Sequence, residues 1–138
     1  MIRDTDSSAV ETRAKRSVPM MIERAAMTKV QAIVREQLLD GIIERLLLIG
    51  VRGLTLGHVK GSGDGASHRE VFRGSSYRVD YVSKILIEWY GPDDEADAVI
   101  RAIQQRAMTG APGDGSIISQ PIEEAIRIRT GERGLDAV

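Results

Sequence analysis

The order in which the apolar residues change period constrains this chain most. Val30, Ala32 and Val34 alternate with Lys29, Gln31 and Arg35, the two-residue repeat of a strand across Lys29–Arg35. Leu39, Ile42, Ile43, Leu46 and Leu47 then recur every third or fourth residue, the stripe of a helix that Gly50 can close in the left-handed conformation. Gly53–Lys60 reads as a second strand. Val79, Tyr81, Ile85, Ile87 and Trp89 mark one face of a third, with Asp80, Lys84 and Glu88 on the other. Gly91-Pro92-Asp93-Asp94 supplies a turn and an N-cap for a second helix, whose stripe is Ala96, Val99, Ile100, Ile103 and Ala107. Ser116–Ser119 and Ala125–Arg129 provide the closing strands. Between the second and third strands, residues 61–77 are poor in apolar side chains and rich in Gly and Ser, which predicts a long loop. A βαββαβ order with two helices on one face of an antiparallel sheet is the ferredoxin-like α+β arrangement.

Composition removes several function classes. With 138 residues the chain holds one domain with its own core, small enough that oligomerisation would help its stability. A net charge of -1 and only 4% aromatic residues argue against a nucleic-acid partner, which needs a basic surface and stacking platforms. No cysteine is present, so disulfides and thiolate chemistry are excluded, and a cytoplasmic location is expected. No apolar run approaches the roughly 20 residues that cross a bilayer, so no stable membrane insertion is expected. Residues 1–26 are polar and mixed in charge and read as a mobile extension to the domain at 27–138. Met20, Met21 and Met27 each offer a start, so the extension is either a real tail or an over-long reading of the gene.

The chemistry concentrates near the C-terminus. In Gly113-Asp114-Gly115-Ser116 the glycines can take positive φ and leave the backbone bare, so that successive N–H groups can converge on an anion. In Ile126-Arg127-Ile128-Arg129 a two-residue repeat would place both guanidinium groups on one strand face. Arginine keeps its charge and offers a planar fork of donors matched to phosphate oxygens. A glycine turn followed by two arginines suits a polyphosphate.

The motif TGAPGDG from Thr109, IRIRTGE from Ile126, GVRGLTLGHVKGSG from Gly50 and HREVFRGSSYRVDY from His68 together resemble, in order and spacing, the PII signal-transduction proteins. The resemblance runs from Met27 to Val138. It implies a homotrimer with a nucleotide in each cleft between subunits, and a long T-loop that contacts a regulated transporter or enzyme. It assigns Gly53, Leu54, Thr55, Gly61, Ser62 and Gly63 to the adenosine and phosphate side of the cleft. Gly113, Asp114, Gly115 and Ser116 become the phosphate-facing B-loop, Arg127 and Arg129 reach phosphates across a subunit boundary, and Tyr90 lies beside the adenine. Lys84 matches the lysine that pairs with an oxoacid carboxylate. Tyr77 and Ser75 fall where some members are uridylylated or phosphorylated, in contexts that have drifted here.

This chain departs from the family pattern at three of these positions. Asp64 and Gly65 stand where an arginine and a glutamine are usual, and Ser116 where a lysine is usual. Two phosphate cations and a metal-holding amide are thereby lost, which favours ADP or AMP over ATP; alternatively, Asp64 ligates a metal and keeps the triphosphate. With Gly65 beside Lys84, a small anion such as bicarbonate becomes the expected second ligand, as in the carboxysome-associated branch of the family. Two further readings stay open, a conventional nitrogen regulator sensing ATP and 2-oxoglutarate, and a ferredoxin-like module for a small ligand or metal.

No active-site constellation is present. His58 and His68 lack metal-ligand spacing. Asp93, Asp94, Glu95 and Asp97 read as a helix N-terminus complementing its dipole, and Trp89 as sheet packing. The chain reads as a regulator, not an enzyme.

Overall fold

The computed structural model describes residues 26–62, 68–72, 75–79 and 81–138. Gly63, Asp64 and Gly65, together with residues 1–25 of the N-terminal extension, lie outside these. Strand β1 spans Met27–Arg35, and a short 3-10 turn leads into helix α1, Leu39–Leu48. Strand β2 (Thr55–Gly61) follows, then β3 (His68–Phe72), β4 (Ser75–Val79) and the long β5 (Val82–Pro92). Helix α2 (Asp93–Ala107) and β6 (Ser116–Ile122) complete the main elements, and a 3-10 turn at Gly134–Ala137 ends the chain.

The main sheet has the order β2-β5-β1-β6. Every ladder is antiparallel: β1 with β5, β1 with β6, and β2 with β5. Without the hairpin β3–β4, which forms its own two-stranded sheet, the sequence of elements is βαββαβ. This is the ferredoxin-like arrangement that the periodicity predicts.

The period-2 patterns bury one face of the sheet. Val30, Ala32 and Val34 of β1 and Ile85, Ile87 and Trp89 of β5 meet Ile42 and Leu46 of α1 and Val99, Ala102 and Ile103 of α2 in one cluster. Seven of the largest side chains there are shut from solvent, among them Ile42, Leu46, Ile87 and Ile103. Each such side chain contributes about 1.5–3 kcal/mol of burial. The opposite face carries Lys29 and Glu88, 3.4 Å apart.

Three expectations about local structure need correction. Residues 61–77 are not all loop, because they include β3 and the start of β4, which pair as an antiparallel hairpin. Gly91-Pro92-Asp93-Asp94 is not a turn: β5 runs through Pro92 directly into α2, and Pro92 is the N-cap residue without a side-chain cap. Asp93 instead accepts from the hydroxyl of Thr28 at 2.5 Å, tying the helix start to β1. Ala125–Arg129 is not a strand either. Ile126 makes a single bridge to Arg133, and the Arg127 N–H donates to the Glu132 carbonyl at 2.8 Å while the Gly131 N–H donates to the Arg127 carbonyl at 2.7 Å. Gly131, at φ 75°, closes this tight reversal. The reason is burial: Ile126 is 52% and Ile128 fully exposed, so no core pulls that alternation into the sheet.

Candidate functional site

The loop between α2 and β6 is organised by one carboxylate. Asp114 accepts from the backbone N–H of Thr109 at 2.8 Å, the N–H of Gly110 at 2.9 Å and the Thr109 hydroxyl at 2.5 Å. Arg35, at the end of β1, donates its Nε to the same carboxylate at 3.3 Å and its terminal nitrogen to the Pro112 carbonyl at 2.8 Å. These donors, led by the Thr109 side chain, hold the Asp114 carboxyl down at about 2. The acidic side chain is thus engaged inside the loop instead of facing outward, which leaves a turn built of backbone.

The flanking glycines are required by geometry. Gly113 and Gly115 sit at φ 98° and 95°. A β-carbon on Gly115 would fall 1.8 Å from the carbonyl oxygen of Ile33. The positive φ values are those the sequence predicts for this turn, and the close approach is to the backbone of β1.

Lys84 lies beneath this loop. On β5 it is paired with Arg35 of β1 and Val59 of β2, and it is buried although its neighbour Ile85 points to the core. Its ammonium donates to the Gly113 carbonyl. Burial lowers its pKa, Arg35 lowers it further, and Asp114 offsets part of both. Lys84 is on the face opposite the core, as the alternation predicts, and the loop covers it there. Gly61 packs on the same side chain, its missing β-carbon 3.2 Å from Lys84 Cγ, and Gly61 is the partner of Val82 in the ladder. The chain leaves the sheet at Gly61 and re-enters beside it at Val82, so the base of the hairpin excursion and the Gly113–Ser116 loop share one buried lysine.

The remaining predicted residues gather at the other end of the sheet. Thr55 pairs with Glu88, six residues along β2 from Gly61, a separation of about 20 Å at the strand rise. Arg52 and Gly53 line a groove there with Trp89, Tyr90, Leu135 and Val138. Tyr90 also borders an adjoining groove with Lys29, Ile126 and Ala137. Its hydroxyl donates to Glu88, which holds that carboxyl below its usual range, with Lys29 adding to the effect. Arg127 and Arg129 sit in the turn beyond Ile126, Arg127 Nε 4.0 Å from Glu132. Trp89 is buried in the core, as expected, and His58 is exposed 3.3 Å from Glu36.

Within one chain, then, the predicted residues form two groups. Gly61, Ser62, Lys84 and Gly113–Ser116 stand at one end of the sheet, and Gly53, Thr55, Tyr90 and the Arg127–Arg129 turn at the other. The two glycine segments of the sequence, predicted on one side of a cleft, are split between them. Sequence reading missed Arg35, which looked like one more polar position on β1, and the C-terminal turn carrying Leu135. Thr109 and the spacing of Asp114 behind it were the signal for the loop's internal bonding.

The model of the family described as nitrogen regulatory protein P-II matches residues 27–132. The chain belongs to that family. It is 45% identical over 112 residues to the nitrogen regulatory protein P-II of Rhizobium meliloti, covering 81% of this chain and all of the relative. To that of Rhodospirillum rubrum it is 47% identical over the same length. Among solved structures, an Arabidopsis thaliana PII bound to citrate superposes with a TM-score of 0.66 at 35% identity, over 83% of this chain and 94% of that one. A B. subtilis GlnK–ATP complex gives 0.66 at 29% identity, over 82% and 96%. P-II membership makes this chain a signal-transduction regulator and not an enzyme. No described helix is long and apolar enough to cross a membrane.

Proposed function

We propose that this P-II chain is a homotrimeric regulator that binds adenine nucleotide between subunits and signals its occupancy through the hairpin excursion of residues 62–81. The observation that carries this reading is the split of the site. Lys84 and the glycine loop stand at one end of the sheet, and the groove at Tyr90 with the arginine turn stands at the other, with Gly61 and Thr55 about 20 Å apart along β2, so one chain does not close around a nucleotide alone. Two copies that juxtapose opposite ends would. The solved B. subtilis relative holds ATP, which supports an adenine nucleotide as the ligand class.

Lys84 supplies the link to signalling. A phosphate on the Gly113–Ser116 loop and a change at the base of the excursion both act on the same buried ammonium. A ligand shifts the excursion only through different affinity for its states, and a shared lysine gives such a difference a physical route.

ADP or AMP is favoured over ATP, because Asp64, Gly65 and Ser116 replace two phosphate cations and a metal-holding amide of the family pattern. Bicarbonate is the proposed second ligand. An ammonium carries three donors, and the bond to Gly113 uses one, leaving two for a small anion. The regulated partner belongs to carbon or nitrogen metabolism. The names of the relatives favour nitrogen, and the bicarbonate ligand would favour the carboxysome-associated alternative. Location in the cytoplasm fits both.

Calorimetry with ATP, ADP and AMP, each with and without magnesium, 2-oxoglutarate and bicarbonate, tests the reading. Binding of ADP or AMP at least as tight as ATP, with no gain from 2-oxoglutarate and a gain from bicarbonate that chloride does not reproduce, is the expected result. Strong preference for magnesium-ATP with 2-oxoglutarate synergy would replace it by the conventional nitrogen-sensing alternative. Absence of any nucleotide binding would overturn it.

A further inference from the structure

Lys84 is the one charged side chain that is buried among the described residues. A buried lysine ordinarily has a carboxylate paired with it. Here no ion pair among the described residues includes it, and Asp114, whose charge acts on it, directs its bonds to Thr109, Gly110 and Arg35. The partner of Lys84 across the ladder is instead a cation. Arg35 stands directly opposite on β1, which sets the two β-carbons about 4.5–5.5 Å apart. Burial and Arg35 both lower the lysine pKa, and Asp114 offsets part of the effect. From β2 the neighbours are Val59 and Gly61, neither of which titrates. Desolvation and a second cation are the two conditions that turn a lysine amine into a nucleophile. The surroundings also suit a product one carboxylate larger. Gly61 and Gly113 carry no side chain where they meet Lys84, and Arg35 uses two of its five N–H donors, on Asp114 and Pro112.

We propose that Lys84 is a site of carbamate formation, at which dissolved carbon dioxide adds to the side-chain amine and Arg35 holds the product. The ammonium first loses a proton to solvent. The nitrogen lone pair then forms an N–C bond to carbon dioxide, one C=O π pair moves onto oxygen, and the nitrogen loses a second proton to solvent. Nothing is oxidised or reduced and no other group leaves. Carbon dioxide is small and uncharged, so burial that shuts out larger electrophiles does not shut it out. The remaining N–H can still donate to the Gly113 carbonyl, and the new carboxylate meets the guanidinium of Arg35. A cation beneath the Gly113–Ser116 loop thereby becomes an anion. The inference rests on the reading of Lys84 as the point where inorganic carbon acts, and adds a covalent form: bicarbonate pairs with the ammonium, and carbon dioxide reacts with the amine.

The test exposes the full chain to isotopically labelled carbon dioxide, traps carbamates by O-ethylation with a triethyloxonium salt, and reads tryptic peptides by mass spectrometry. Lys84 lies in the stretch Val79–Arg101, which trypsin cuts at Lys84 only when that residue is unmodified. Label is expected on Lys84 at an occupancy at least about threefold above that of Lys60, which is exposed on β2. At fixed dissolved carbon dioxide the occupancy should rise from about pH 7 to about pH 8.5, because only the unprotonated amine reacts. Arg35→Gln is expected to lower it at least about threefold, and Arg35→Lys, which keeps the cation, to restore most of it. The proposal is overturned by no label on Lys84, by label no greater than on Lys60, or by unchanged occupancy in Arg35→Gln. Trapping records only the covalent adduct, so the two inorganic-carbon readings separate. A bicarbonate gain in nucleotide calorimetry with no label on Lys84 overturns this inference and leaves the noncovalent ligand standing. Label on Lys84 without that gain supports the carbamate and removes bicarbonate as the second ligand.

Discussion

Asp114 accepts hydrogen bonds from Thr109, Gly110 and Arg35 across its loop. Its carboxyl is drawn down to about 2 by Thr109, Gly110 and Arg35, below the range of a carboxylate in an unfolded chain. A depressed acid contributes stability that is present above its unfolded value and is lost as pH falls through the folded one. The difference in urea midpoint between the parent chain and Asp114→Asn should therefore be full at pH 6 and shrink between about pH 4 and pH 2. A pH-independent difference would mean the carboxylate acts only by shape. Gly115 admits no side chain, since a β-carbon would meet Ile33 at 1.8 Å on a backbone at φ 95°. Gly115→Ala should cost about 2–4 kcal/mol in chemical denaturation. Arg127→Ala and Arg129→Ala should each weaken nucleotide binding by about 1.5–3 kcal/mol, as for hydrogen bonds to charged groups, with little change in stability because both lie outside the core.

At the scale of elements, legibility followed burial. The alternation in β1 and β5 and the stripes of α1 and α2 were readable because Val30, Val34, Ile87, Ile42 and Ile103 are the core, and a core imposes its period on the sequence. Ile103→Ala should accordingly cost about 2–5 kcal/mol, measured by urea denaturation. The hairpin β3–β4 was not readable: its pairing joins polar positions such as Arg69 with Arg78 and Glu70 with Tyr77, so no period-2 apolar face marks it. The turn at Arg127–Gly131 was misread for the converse reason. Ile126 and Ile128 alternate with arginines, yet face solvent in the single chain, and the local reversal at Gly131 prevails over the strand pattern. The glycine loop was legible down to its positive φ values, while the burial of Lys84 was not, because the loop that covers it arrives from 29 residues away.

For the whole molecule, the family was legible from separated motifs and the fold from periodicity, whereas the division of the candidate site between two ends of a sheet is a property of register that no single motif carries. We propose that residues 1–26 are dispensable, so a chain starting at Met27 should assemble and bind nucleotide as the full chain does, checked by light scattering and calorimetry. The central claim is that each nucleotide site takes one half from each of two subunits. Ser116→Glu, on the exposed start of β6, should disable the loop half by repelling phosphate, and Arg127→Ala with Arg129→Ala should disable the other half. The decisive measurement is the number of nucleotide sites after the two defective proteins are unfolded together at equal concentration and refolded. Assembly with halves from different subunits predicts that about a quarter of the clefts regain full affinity by random mixing in a closed ring. No recovered sites, in mixtures that light scattering shows to be trimeric, would contradict it.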